Sequence, residues 1–163
     1  MTIQVGDRLP DVPIAIATGE GPQQTTSGDY FRGKRVALFA VPGAFTPTCS
    51  ARHVPGFVAR ADELKAAGVD EIWCVSVNDA FVMGAWGREQ RTAGKVRMMA
   101  DGSAEFTRAT GLTLDLTARG MGLRSQRYSM LVRDGVVRTL NVEAPGAFEV
   151  SGADTLLAQA KTL

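Results

Sequence analysis

The chain has 163 residues, which suits one domain, residues 1–163, built around a single core. Hydrophobic residues make up 45% and charged residues 21%, ordinary values for a globular protein and unlike those of disordered or fibrous chains. Eighteen basic residues against seventeen acidic leave a formal charge of +1, so nothing favours nucleic acid or an anionic membrane as partner.

The opening stretch, MTIQVGDRLPDVPI, lacks the charged-then-apolar layout of a secretory leader. No segment approaches the roughly 18 apolar residues of a membrane span. Two cysteines, Cys49 and Cys74, are too few for a disulfide framework, which points to the reducing cytosol. Together with His53 they are also too few for a soft-metal site, so no metal or other cofactor is expected.

In chain order, DVPIAIAT and QQTTSGDYF read as short extended pieces. RVALFAV, Arg35 to Val41, is a continuous apolar run and reads as a strand buried on both faces. From Pro47 a helical pattern runs to about Ala67, with Val54, Phe57, Val58, Ala61 and Leu64 on one stripe and Gly68 as the stop. Pro55 lies inside that pattern and should kink it. EIWCVSV, Glu71 to Val77, is the next strand. Asn78 or Asp79 can cap the following helix, which carries Phe81, Val82, Ala85 and Trp86.

VRMMAD is a further strand, with a short helix near Ala104 to Thr110. QRYSMLVRDGVVRTLNVE is a hairpin closed by Asp134-Gly135. A last helix near Gly152 to Leu163 buries Leu156, Leu157 and Ala160. Strands alternating with helices, then an antiparallel hairpin and a helix, predict an α/β domain. Its mixed central sheet is flanked by helices and carries an extended N-terminal addition, an order compatible with a thioredoxin-like fold.

One position stands out chemically. Thr46 suits an N-cap and Pro47 the first helical position, which puts Cys49 in the first turn. Amides there lack helical partners, and the helix dipole adds about half a positive charge. Both favour an anionic sulfur over a neutral one. The bland alternative is a small buried hydrophobe, the usual fate of a lone cysteine. His53, one turn on, opens a second alternative, a Cys-His pair for acyl transfer, although a partly exposed helix histidine is commoner and no third orienting group is evident.

The stretch PGAFTPTCSARHVPGF contains Pro-x-x-x-Thr-x-x-Cys as Pro42, Thr46 and Cys49. It resembles the active-site signature of the peroxiredoxins, thiol peroxidases on a thioredoxin-like fold, and within them the type II (peroxiredoxin 5-like) subfamily. The resemblance continues through KAAGVDEIWCVSVNDAFVMGAW, MMADGSAEFTRATGL and RSQRYSMLVRDGVVRTLNVE, nearly the whole chain. It implies that Cys49 attacks a hydroperoxide, that Thr46 sets its hydroxyl beside the sulfur, and that Pro42 shields the site. It also implies that Gly43 lines the substrate position and that Arg127 comes back to the sulfur. Sequence alone offers Arg52 and Arg124 as rivals to Arg127.

The product is a sulfenic acid on Cys49, which must be reduced. Some relatives resolve it with a C-terminal cysteine, but here Ser151 lies about where that residue would be. Cys74 reads as a packed core thiol, with a secondary redox role as the alternative. The resemblance therefore implies an external thiol reductant, glutaredoxin with glutathione first and thioredoxin second. It also implies a homodimer through Ala44-Phe45, the region from Asn78 to Trp86 and the MGLRS segment. A redox-sensing interaction protein, reacting once and stalling, is the competing reading from another class.

Overall fold

The computed structural model describes residues 1–163. The chain opens with a hairpin, β1 (Pro13–Thr18) and β2 (Gly21–Thr26), then a short helix α1 (Ser27–Phe31) and β3 (Arg35–Ala40). Two short helices follow, α2 (Val54–Ala59) and α3 (Ala61–Ala66), then β4 (Glu71–Ser76), α4 (Ala80–Glu89), β5 (Arg97–Ala100) and α5 (Glu105–Thr110). The last part holds β6 (Thr113–Leu116), β7 (Gly122–Ser125), β8 (Tyr128–Arg133), β9 (Val136–Val142) and α6 (Ala153–Ala160). Seven strands form one sheet in the order β2-β1-β5-β4-β3-β8-β9, and β6 and β7 make a separate two-stranded ribbon.

The centre of the sheet is parallel, β3 against β4 and β4 against β5, and its flanks are antiparallel. That arrangement follows from the apolar runs, since a strand covered on both faces has no polar side to show. Alternate residues of β3 and β4 enter two cores. Phe39, Cys74 and Val41 pack with Phe57, Leu64, Trp86 and Leu156 on one face. Leu38, Trp73 and Val75 pack with Phe31, Phe106 and Tyr128 on the other. Each fully buried large side chain contributes on the order of 1.5–3 kcal/mol.

At the turn between β8 and β9, Asp134 and Gly135 both have positive φ, 48° and 79°, as a two-residue hairpin turn requires.

Two expectations need correction. The second half of QQTTSGDYF is helix α1, because the Thr26 side chain accepts from Asp29 N–H (3.2 Å) and caps it. The helix expected from Pro47 to Ala67 is broken into parts. Residues Cys49–His53 form a widened π turn in which Val54 N–H reaches back five residues to the Cys49 carbonyl, and the chain breaks again at Arg60. The wide turn ends just before Pro55, whose ring would collide with the carbonyl four residues back in a regular helix. Of the two caps offered for the helix after β4, Asp79 takes the role, and the helix buries Ala80, Met83, Trp86 and Gly87 while Phe81 is 75% exposed. The ribbon of β6 and β7 was not anticipated.

Candidate active site

Strand β3 carries the chain to Val41, where Pro42 and Gly43 turn it away from the sheet. Gly43 is buried, and a Cβ there would stand 3.0 Å from Arg124 Nη1 and 3.2 Å from Thr46 Cγ2, so a larger residue would press on the turn. Phe45, at φ 65°, completes it. The turn is held from outside: Ala44 N–H donates to Asn78 Oδ1 (3.0 Å), which also accepts from Ser76 Oγ (2.6 Å). The first backbone bond back into the next helix runs from Ser50 N–H to the Thr46 carbonyl (3.0 Å). The amides of Thr48 and Cys49 lie ahead of it, at the positively polarised end. Trp86 Nε1–H donates to Ser50 Oγ (3.0 Å) and ties α4 to this turn.

Cys49 is fully buried among apolar side chains, yet two polar groups converge on its sulfur. Thr46 Oγ1 lies 2.8 Å from Sγ and Arg127 Nη2 lies 3.1 Å from it. The same Thr46 hydroxyl is 2.7 Å from the Gly43 carbonyl. It carries one proton, so it serves the sulfur or the carbonyl at a given moment. When it serves the carbonyl, its oxygen is free to accept from a ligand. The Thr46 hydroxyl therefore works on the sulfur and the turn, and it does not cap a backbone amide as expected of an N-cap.

Arg127 immediately precedes β8, and that strand's pairing with β3 brings it to the site. Its guanidinium splits, with Nη2 to the sulfur and Nη1 to His53 Nδ1 (2.8 Å). His53 is not the partly exposed residue expected from sequence but is fully buried against Phe39 (4.8 Å between ring centres) and Phe148 (4.9 Å). Its Nε2 lies 2.9 Å from the Ser151 carbonyl. Burial, and then the positive charge of Arg127, lower its pKa to about 3, so the ring is neutral. Both ring nitrogens are occupied and neither faces the sulfur, which leaves no Cys-His pair for acyl transfer.

Neither rival arginine reaches the sulfur: Arg124 braces the Pro42-Gly43 turn and Arg52 lies at the surface. Arg124 donates from Nε to the Met121 carbonyl (2.8 Å) and reaches the Pro42 carbonyl at 3.5 Å. Arg52 is exposed and lies over the Phe148 ring at 4.7 Å. Cys74 is fully buried in β4, in the same core as Cys49, and neither cysteine is in a disulfide. Burial, with the nearby Cys49 as a smaller cause, raises the Cys74 pKa well above that of a free thiol. Ser151 is buried, its hydroxyl on Glu143 Oε2 (2.7 Å). Glu143 supports the site without having been singled out in the sequence, and Asn78, offered there only as a helix cap and as part of a dimer contact, supports it by holding the turn at Ala44. Both act on backbone amides outside their own elements and leave no local pattern.

The Redoxin family model matches residues 4–157. Peroxiredoxin-2B of Arabidopsis thaliana is 51% identical over 156 residues, spanning 95% of this chain and 96% of that protein. The crystal structure of reduced Prx3 from Vibrio vulnificus in complex with hydrogen peroxide has a TM-score of 0.93 and 55% identity, covering 98% of this chain and 99% of its own. Peroxiredoxin 5 from Alvinella pompejana has a TM-score of 0.87 and 36% identity, with 99% of each chain covered. The fold is therefore the thioredoxin-like one expected. The chain belongs to the peroxiredoxins of the Redoxin family, enzymes with thiol-dependent peroxidase activity.

Proposed function

We propose that Cys49 is the peroxidatic residue, that it reduces hydrogen peroxide and alkyl hydroperoxides through a sulfenic acid, and that an external thiol recycles it. The observation that carries this reading is the convergence of Thr46 Oγ1 and Arg127 Nη2 on one buried sulfur, at 2.8 and 3.1 Å. The Cys49 sulfur, as thiolate, attacks one peroxide oxygen. An S–O bond forms, the O–O bond breaks, and the electron pair leaves on the second oxygen, which takes a proton and departs as water or alcohol. Negative charge thus moves from sulfur to the leaving oxygen, and fixed donors beside both lower the barrier. Arg127 keeps its charge throughout and holds the reacting oxygens in line.

A thiol then attacks the sulfenic sulfur, releasing water and leaving a mixed disulfide, which a second thiol reduces. Ser151 carries no sulfur, and Cys74 is buried with a raised pKa, so both support resolution from outside the chain. Glutaredoxin with glutathione is the first choice of reductant and thioredoxin the second. The working form is a cytoplasmic homodimer joined through the loop at Phe45 and the start of α4; exposed Phe45 (51%) and Phe81 (75%) support that contact.

The test is Cys49→Ser in a peroxide-consumption assay with each reductant in turn. Activity should vanish with every peroxide and every thiol. Undiminished consumption by the variant would remove Cys49 from the mechanism. A wild type that reacts once and stalls with all reductants would favour a sensor.

A further inference from the structure

Residues 149–151 are gathered around one carboxylate. Glu143 is 6% exposed, and its Oε2 accepts from the amides of Glu149 (2.9 Å), Val150 (2.8 Å) and Ser151 (2.7 Å) and from Ser151 Oγ (2.7 Å). Oε1 takes the Glu149 amide as well, at 2.9 Å. Burial works to raise the pKa of this group, but the bonds from Glu149, Ser151 and Val150 together hold it below the ordinary glutamate value. Nothing in the peroxide chemistry described above uses this clamp, although it stands directly behind the site.

Its effect passes through Ser151. The clamped Ser151 directs its carbonyl at His53 Nε2 (2.9 Å). A carbonyl only accepts, so Nε2 must carry the ring proton. A guanidinium only donates, so Nδ1, 2.8 Å from Arg127 Nη1, must carry the lone pair. The two neighbours leave the ring a single tautomer. Were the proton on Nδ1, it would point at Arg127 and push the guanidinium off. A second tie exists: Glu143 N–H donates to the Arg127 carbonyl (3.0 Å), so the clamping residue also holds the backbone of the arginine.

We propose that Glu143 is a positioning residue for the peroxide step: by clamping residues 149–151 it presents the Ser151 carbonyl to His53, fixes that ring with its Nδ1 lone pair toward Arg127, and so keeps the guanidinium on the Cys49 sulfur. The charged groups acting on the ring are Arg127 and Glu143, with Arg52 beyond Phe148. The low pKa of His53 agrees with a ring that stays neutral over the working range. The inference rests on Arg127 serving Cys49. Loss of that reading would show as activity in Cys49→Ser, whereas the tautomer is read without turnover.

The chain holds one histidine, so long-range proton–nitrogen spectra of the labelled full-length protein report a single ring. Reduced wild type should show the Nε2–H form, unchanged between about pH 5 and pH 8. In Glu143→Gln the amide group cannot accept from four donors. The ring should become a mixture of tautomers, and kcat/KM for peroxide should fall by about tenfold or more, as when a placed group is misdirected. A wild-type ring protonated on Nδ1, or titrating in that window, overturns the proposal without any variant. So does a Glu143→Gln protein in which either readout moves and the other does not, or in which neither moves. Should Glu143→Gln fail to fold, Glu143→Asp, which withdraws the carboxylate by one methylene, is judged by the same two readouts.

Discussion

Replacing Arg127 by glutamine removes the charge and both of the contacts that the guanidinium makes, to Cys49 Sγ at 3.1 Å and to His53 Nδ1 at 2.8 Å. Opposite unit charges about 4 Å apart attract by about 4 kcal/mol at an effective dielectric of about 20. Part of that attraction already exists before reaction, and only the part gained as charge moves to the leaving oxygen speeds the step. Loss of a single preorganised donor costs about 10²- to 10³-fold in rate, or about 3–4 kcal/mol, and that is the fall in kcat/KM expected here. The variant also leaves His53 Nδ1 buried without a donor, which should cost about 1–3 kcal/mol in stability. The assay is initial peroxide consumption under excess thiol over a range of peroxide concentrations, beside urea unfolding of the same preparation. A loss below about fivefold, in a protein that still folds, would contradict the assigned geometry, because a donor at 3.1 Å to the reacting atom cannot be that dispensable.

The remaining predictions concern acid stability and the second thiol. His53 refuses a proton down to about pH 3 in the folded chain, whereas an ordinary histidine takes one near 6.5. The unfolded chain therefore gains a proton first, and stability present above pH 6.5 is lost as pH falls toward 3. From pH 7 to pH 5 the loss should be about 2 kcal/mol by linkage. In urea titrations the His53→Gln variant should lack that slope, and parallel curves for the two proteins would refute it. Cys74→Ser should retain glutaredoxin-coupled turnover; lost turnover with sulfenic acid formation intact would show that Cys74 takes part in resolution.

Much of the sheet was legible because its central strands are uninterrupted apolar runs and its last hairpin turns on Asp134-Gly135, both of them local signals. The π turn was not legible. Pro55 advertised a disturbance, but whether the helix bends, breaks or widens depends on what it packs against. The inward face of α4 was not legible for a similar reason: Phe81, Met83 and Trp86 are all apolar, and only the packing shows that α4 turns Met83 and Trp86 inward and leaves Phe81 outside. At the site, Thr46 and Cys49 lie within one turn and could be read together. Arg127 could be reached only through resemblance, since 78 residues separate it from the sulfur it touches. His53 was read as a helix-surface residue because the aromatic rings that enclose it, Phe39 and Phe148, belong to distant parts of the chain.

The indole of Trp86, seated on the hydroxyl of Ser50 one residue beyond the reactive sulfur, makes the protein its own optical probe. Any loosening of the turn during oxidation or thiol attack must alter that indole's surroundings. The other tryptophan, Trp73, lies on the opposite face of the sheet and supplies a steady background. Each stage of the cycle should thus carry an intrinsic emission signal, legible in real time without label or coupled enzyme.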